Sequence, residues 1–479
     1  MRASFHVLDQ PWIPVITTDG AEELLGIRET LARAHSLREI SSASPLEEYS
    51  LYRFLGLFLM DALRPESEED IEALMDAGQF DEERIEAYIS RCKDEGTSFD
   101  LFDEQRPFLQ SAYDKALDGE PKPVSVLNCT LPSGNNHTHF DHADRLPKTL
   151  PPDTALRQVM TTYLFCTAAA QGYPSGVNAS PPYFSVIMGR NLFETLCYTL
   201  LPTDSIGLQL DAPPVLWRRT DPIVPKREVG ATSWLQGMLF PTRRICLIPD
   251  ENGSVVGIYY CQGENFVNKA SWRDPYVSYR LGKDGLFPMR PSADRALWRN
   301  LSDIVNIRGG QTSRLLTQYC SLWTAERVEI VLYGVETSQA SYLGLYRHSL
   351  SFPLRLTESE ITVKVLSLCI SDAESLAAAL RTCLSKVEVI PNSAVSSGVQ
   401  RFYQQCESRF WTLCEALGNG GMGKDLRIAY CDGISECAAA IYTAVITGMN
   451  LRASALAAAE EQRSKLNASI NKCKKEARL

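Results

Sequence analysis

At Phe352-Pro353 the chain changes texture, and the change limits what it can fold into. Downstream, Phe402, Cys406, Phe410, Leu413 and Leu417 recur at spacings of three and four, one apolar stripe along a helix of about four turns. Ile434, Cys437, Ala438, Ile441 and Val445 repeat the pattern up to Gly448, which reads as a C-cap. With the amphipathic stretches 358–384 and 451–475, these make four helices, so a four-helix bundle is expected over 357–479.

Upstream, short strands and helices alternate between frequent turn signals. Residues 5–15 read as a strand and 51–60 as a buried helix. The runs 245–249 and 255–260 flank Asp250-Glu251-Asn252-Gly253, whose Asn-Gly step predicts a hairpin. The expected fold class is therefore α+β: a large mixed N-terminal domain over 1–356, followed by the bundle.

With 44% apolar and 22% charged residues in 479, the chain has the composition of a folded globular protein with a large core. Its formal charge of −10 argues against non-specific coating of nucleic acid, so any phosphate contact must come from a local basic patch. The 14 cysteines contain no Cys-x-x-Cys pair and read as free thiols of a reducing compartment. No uncharged run of membrane-spanning length and no leader-like apolar segment is evident; the expectation is a cytoplasmic protein without membrane contact.

Two motifs invite chemistry. Gly418-Asn419-Gly420-Gly421-Met422-Gly423-Lys424-Asp425 nearly matches a phosphate-binding loop, but a helix pattern precedes it and Asp425 stands where a magnesium-binding hydroxyl belongs. It reads instead as a connection between bundle helices. His137, His139 and His142 gather with Asp141 in one polar loop, a donor set for a metal-dependent hydrolase, although no distant ligand supports it. Neither a G-x-S-x-G elbow nor an H-E-x-x-H motif occurs. No catalytic group, metal or cofactor is expected.

Basic residues cluster twice. Lys269, Arg273, Arg280 and Lys283 lie among Trp272, Tyr276 and Tyr279, a mixture suited to phosphate contact and base stacking. The last helix carries Arg452, Arg463, Lys465, Lys472, Lys474, Lys475 and Arg478, which suit a solvated face or the wall of a strand channel. Between these regions, the apolar run 328–333 leads into Glu336-Thr337-Ser338-Gln339-Ala340-Ser341, a small polar loop presenting one amide.

Several passages, in order, resemble the CasA family, the large subunit of the type I-E CRISPR surveillance complex, Cascade. They are Val7-Leu8-Asp9-Gln10-Pro11-Trp12-Ile13-Pro14-Val15, the stretch from Glu22 to Leu31, Arg106-Pro107-Phe108-Leu109-Gln110, Asn128-Cys129, Gly172-Tyr173-Pro174-Ser175-Gly176, Gly189-Arg190-Asn191-Leu192 and Arg401-Phe402-Tyr403-Gln404-Gln405. The resemblance implies roles. Gln339, with Ser338 and Ala340, would be the family's wedge, which opens the duplex beside the protospacer-adjacent motif. Lys269 or Arg273, just before Gly285-Leu286-Phe287-Pro288, would be its basic finger. Gln171, Gly172 and Ser175 would belong to its glycine loop, although Ala168-Ala169-Ala170-Gln171 stands where some members have consecutive glycines. Asn128, Cys129, Thr130 and Leu131 would begin a loop reaching toward the guide RNA handle and the motif-bearing duplex, and Arg452, Lys472, Lys474 and Lys475 would steady an opened strand.

What the resemblance implies is a non-catalytic subunit whose partners are the other Cascade proteins, guide RNA, double-stranded target DNA and a separate helicase-nuclease. Two other readings stay open: a metal-dependent hydrolase on the histidine loop, and a scaffold that never touches DNA.

Overall fold

The computed structural model describes residues 3–128, 147–167, 173–203, 214–283, 285–338, 341–449 and 451–479. Its chain divides into two units: Met1–Asp294 with Ser313–Trp323 and Glu329–Leu350, and Arg295–Thr312 with Thr324–Val328 and Ser351–Leu479.

The first unit opens with β1 (Ile13–Thr17), β2 (Glu22–Leu25), α1 (Ile27–Ala32) and β3 (Leu37–Ile40), the strands forming an antiparallel sheet in the order β2-β1-β3. The strand expected over 5–15 starts only at Ile13. Before it the chain turns, because the Asp9 and Gln10 amides both bond back to the His6 carbonyl and the Trp12 indole donates to the Val7 carbonyl at 2.8 Å.

The central helix, α2 (Pro45–Leu63), starts on a proline whose missing amide costs nothing in the first turn. It stops at Arg64, in the left-handed region at φ 43°. All of 51–60 is buried. Even Arg53 is enclosed; it pairs with Asp274 and lies 4.4 Å from the Tyr276 ring centroid, so the buried charge is matched. Around this helix come α3 (Glu68–Ala77), opened by a Ser67–Asp70 capping box, α4 (Glu82–Asp94), capped by Asp81, and α5 (Pro152–Phe165), which packs along α2.

Short elements then build the sheets: β4 (Phe184–Ile187), α6 (Leu192–Cys197), β5 (Glu228–Val229) and α7 (Trp234–Gly237). The predicted hairpin is β6 (Arg243–Pro249) with β7 (Val255–Gln262), paired Cys246↔Tyr259. Its turn holds because the Asp250 carboxylate accepts the Asn252 and Ser254 amides at 2.9 Å each, while Gly253 adopts φ 84°. Next come β8 (Asn265–Phe266), parallel to β5, and the hairpin of β9 (Tyr279–Gly282) with β10 (Gly285–Pro288). After α8 (Leu301–Ile304), which belongs to the second unit, and α9 (Arg314–Leu322), two long strands follow, β11 (Arg327–Ser338) and β12 (Ser341–Pro353), in a sheet of order β12-β11-β4.

The second unit is the helical one: α10 (Glu360–Ser385), α11 (Asn392–Gly418), α12 (Gly423–Gly448) and α13 (Ala453–Arg478). The stripe Phe402, Cys406, Phe410, Leu413, Leu417 is buried as its spacing predicts, on a helix longer than expected at 27 residues. Trp298, contributed by the earlier segment, lies 5.0 Å from the Phe410 ring, and Arg295 and Arg299 both pair with Glu374. Gly448 is the last residue of α12 rather than a left-handed cap; Met449 ends the helix in an extended conformation.

The glycine-rich stretch does connect α11 to α12. A Cβ on Gly418 would stand 2.3 Å from the Pro353 Cβ, and Gly420 takes φ 84°, so packing and turn geometry account for these two glycines. Every described cysteine is a free thiol, and among the described residues no helix is long and apolar enough to cross a membrane.

Candidate nucleic-acid interface

The root of the β11–β12 hairpin is fixed in the core. β11 pairs with β4 through Ile330↔Ile187 and Tyr333↔Phe184. The buried Tyr333 hydroxyl donates to Glu48, which also receives Arg347 Nε at 2.9 Å. Past Val335 the strand leaves the core: Glu336 and Thr337 are half-buried and Ser338 is exposed.

The polar loop expected over 336–341 is shorter in the fold. β11 runs to Ser338 and β12 begins at Ser341, which leaves Gln339 and Ala340 as the turn in sequence; both lie outside the described residues. Glu336 braces the outgoing strand, since its carboxylate accepts the Ala293 amide at 3.0 Å and the Tyr346 hydroxyl at 2.7 Å. Burial and this bond together push the Tyr346 hydroxyl pKa up to about 12. The returning strand alternates: Leu343, Leu345, Arg347 and Ser349 are exposed, and the residues between them are half-buried.

Close to the tip, the Tyr342 hydroxyl donates to the carbonyl of Phe165, the last residue of α5, at 2.8 Å. Two residues further on, the Thr167 carbonyl accepts Arg243 Nη2 at 2.8 Å, and across the intervening segment the Pro174 carbonyl accepts Arg243 Nη1 at 2.7 Å. One buried guanidinium thus ties both flanks of 168–172. It also lies 5.1 Å from the Tyr173 ring centroid and donates to the Tyr260 hydroxyl at 3.2 Å.

Two lysines complete the cluster. Lys122 Nζ donates to the Tyr173 hydroxyl at 3.0 Å, and Lys269 Nζ donates to Ser175 at Oγ (2.8 Å) and at the carbonyl (3.2 Å). Partial burial lowers the Lys269 pKa, against an opposing effect from Cys166, and the neighbouring Arg243 adds a smaller lowering. No carboxylate pairs with Lys122, Arg243 or Lys269 among the described residues. Elsewhere in the same unit buried arginines are matched, as Arg244 is by Asp118 at 2.8 Å and Arg219 by Glu264 at 2.6 Å. An acidic protein thereby holds, beside the hairpin, two half-buried lysines and one buried arginine without a carboxylate partner among the described residues.

The two basic-finger candidates differ in their contacts. Lys269 meets Ser175, which the sequence assigns to the glycine loop, whereas Arg273 bonds the Ala270 and Trp272 carbonyls of its own turn at 3.0 Å each and lies over the Tyr279 ring. The expected stacking surface is corrected: Trp272, Tyr276 and Tyr279 are buried core residues, and their faces are closed to bases.

Asn128 ends a 3-10 turn over Val124–Leu127, which is docked on α5 by Thr162 Oγ1 bonding the Leu127 carbonyl at 3.2 Å. Cys129, Thr130, Leu131, the histidine loop 137–142, Gln171 and Gly172 lie outside the described residues. On α13, Lys472 pairs with Glu476 at 3.8 Å and Lys474 with Asp432 at 3.1 Å, so part of the basic face is neutralised; Arg452 and Lys475 are exposed and have no ion pair among the described residues.

Sequence reasoning missed Lys122, Arg243, Tyr260 and Tyr342. The one local signal was Arg243-Arg244 opening an otherwise apolar strand, an unusual place for two cations without a special role.

A family model described as CRISPR-associated protein Cse1 matches residues 7–439. CRISPR-associated protein CasA/Cse1 of Thermus thermophilus is 31% identical over 370 residues, covering 73% of this chain and 71% of that one. The crystal structure of CRISPR-associated protein Cse1 from Acidimicrobium ferrooxidans superposes with a TM-score of 0.80 over all of both chains at 20% identity. A chain of a CRISPR RNA-guided surveillance complex superposes with a TM-score of 0.79 at 20% identity, over 97% of this chain and 100% of that one. On the extent of the family match and the identity to a curated member, this chain belongs to the CRISPR-associated Cse1 family.

Proposed function

We propose that this chain is the large, non-catalytic subunit of a type I-E-like CRISPR RNA-guided surveillance complex, where it reads a short duplex motif beside the target, opens the duplex and presents a surface to a separate helicase-nuclease. The reading rests chiefly on one observation: Lys269, Ser175, both flanks of 168–172 and the Tyr342 end of the hairpin meet around Arg243. The family relationship supports it.

In this reading the lysines meet backbone phosphates and the groove edge, while Gln339 at the turn enters beneath the first base pair. Minor-groove patterns distinguish base pairs poorly, so several motifs are tolerated. The long target is read by the guide RNA, and protein supplies the adjacent-motif check. Unstacking one step costs a few kcal/mol, roughly what a firmly rooted hairpin and a few phosphate contacts must offset.

The test is duplex binding by the reconstituted complex carrying wild-type or Lys269→Ala subunit across a salt series. Affinity for motif-bearing duplex should fall and the salt slope should drop by about 1. Unchanged affinity and slope would leave the chain as a scaffold.

A further inference from the structure

The bundle core holds a group of residues that DNA reading does not use. Asp372 on α10, Cys431 on α12 and Cys473 on α13 are all buried, and a carboxylate oxygen and the two sulfurs lie within 4.8 Å of one another. Cys431 Sγ is 3.1 Å from Asp372 Oδ2. Arg427 grips the same carboxylate twice, Nε to Oδ2 at 3.0 Å and Nη2 to Oδ1 at 3.2 Å, and its Nη1 reaches the Glu476 carbonyl at 3.3 Å.

We propose that Asp372, Cys431 and Cys473 form a site for a thiophilic divalent cation of the zinc type, with Arg427 as the residue that orients the carboxylate. Sulfur and oxygen together suit zinc, whose bonds of about 2.3 Å to sulfur and 2.0–2.2 Å to oxygen place tetrahedral ligands about 3.5–3.8 Å apart, so the distances within the trio need to change by no more than about 1 Å. Charge also balances: two thiolates and a carboxylate stand against one guanidinium and a dication, which is what a buried site requires. Binding makes two metal–sulfur bonds and one metal–oxygen bond, and both thiol protons leave to solvent with no change of oxidation state.

Arg427 repeats a common arrangement in which a neighbouring group fixes the direction of a metal-binding carboxylate. The ligands come from three helices, so a bound cation would cross-link α10, α12 and α13 and stabilise the folded chain by mass action.

The experiment uses tag-free full-length chain, stripped with chelator under reductant and titrated with Co²⁺, then Zn²⁺. One cobalt per chain should bind with a thiolate-to-cobalt charge-transfer band, zinc should displace it, and zinc should raise the melting temperature. Arg427→Gln should weaken binding about 10–100-fold, and Cys473→Ser by more. Cys406→Ser, which removes a buried thiol elsewhere in the bundle, should leave the titration unchanged. No thiolate band in the folded wild type, or the same titration in Cys473→Ser, overturns the site. Should Cys473→Ser not fold, zinc-edge X-ray absorption of the wild type decides: two sulfur neighbours support the site, and a shell without sulfur rejects it.

Discussion

In the proposed reading Lys269 carries the heaviest demand on a single residue, because the cation assigned to phosphate has been partly taken out of water. Burial and the neighbouring Arg243 lower its pKa below the ordinary 10.5. In that window the unfolded chain binds more protons than the folded one, so the Lys269 contribution makes stability rise with pH. Binding runs the other way, since the ammonium is lost as pH rises through the lowered value. We therefore expect motif binding by the wild type to fade toward alkaline pH before that of Lys269→Arg, whose guanidinium stays charged. Superimposable pH profiles would show that Lys269 is not the phosphate contact. Ser175 was named from a passage that resembles the family's, and Lys269 from the basic cluster ahead of Gly285-Leu286-Phe287-Pro288. Arg243 was not: its partners Thr167, Pro174 and Tyr260 come from separate segments, and no local pattern reports such a convergence.

Among the elements, the β11–β12 hairpin matters most. Its strand character was legible from the apolar run 328–333, but its length was not, because β12 alternates exposed and half-buried residues and carries little apolar signal of its own. Cross-strand pairing and the Glu336 brace extend it beyond what periodicity suggests. Tyr342→Phe removes one bond near the tip and should cost about 0.5–1.5 kcal/mol of stability, read by chemical denaturation. It should also weaken duplex opening more than binding to single-stranded target, because it loosens the tip and leaves the lysines in place. An equal loss on both substrates would mean that Tyr342 acts only on stability.

For the whole molecule, the α+β part and the bundle were both visible as a change of texture at Phe352-Pro353. The bundle was the easier to read, since a 3.6-residue period sustained over 26 or 27 residues outweighs local exceptions such as Gly448. The recruitment of Arg295–Thr312 into the helical unit was invisible, because Trp298 reaches Phe410 only through tertiary packing. Two units predict two calorimetric transitions rather than one. Phe410→Ala, at a fully buried position, should cost about 3–5 kcal/mol and lower one transition while sparing the other. A single transition shifting as a whole would show that the units unfold together.

The most direct test of the central claim compares two targets at fixed salt, using the reconstituted complex with wild-type or Gln339→Ala subunit. One target is an intact motif-bearing duplex and the other is the same sequence already unpaired at the motif edge. The account predicts weaker binding to the intact duplex and unchanged binding to the opened one. Equal affinities for both, with and without the substitution, would contradict it.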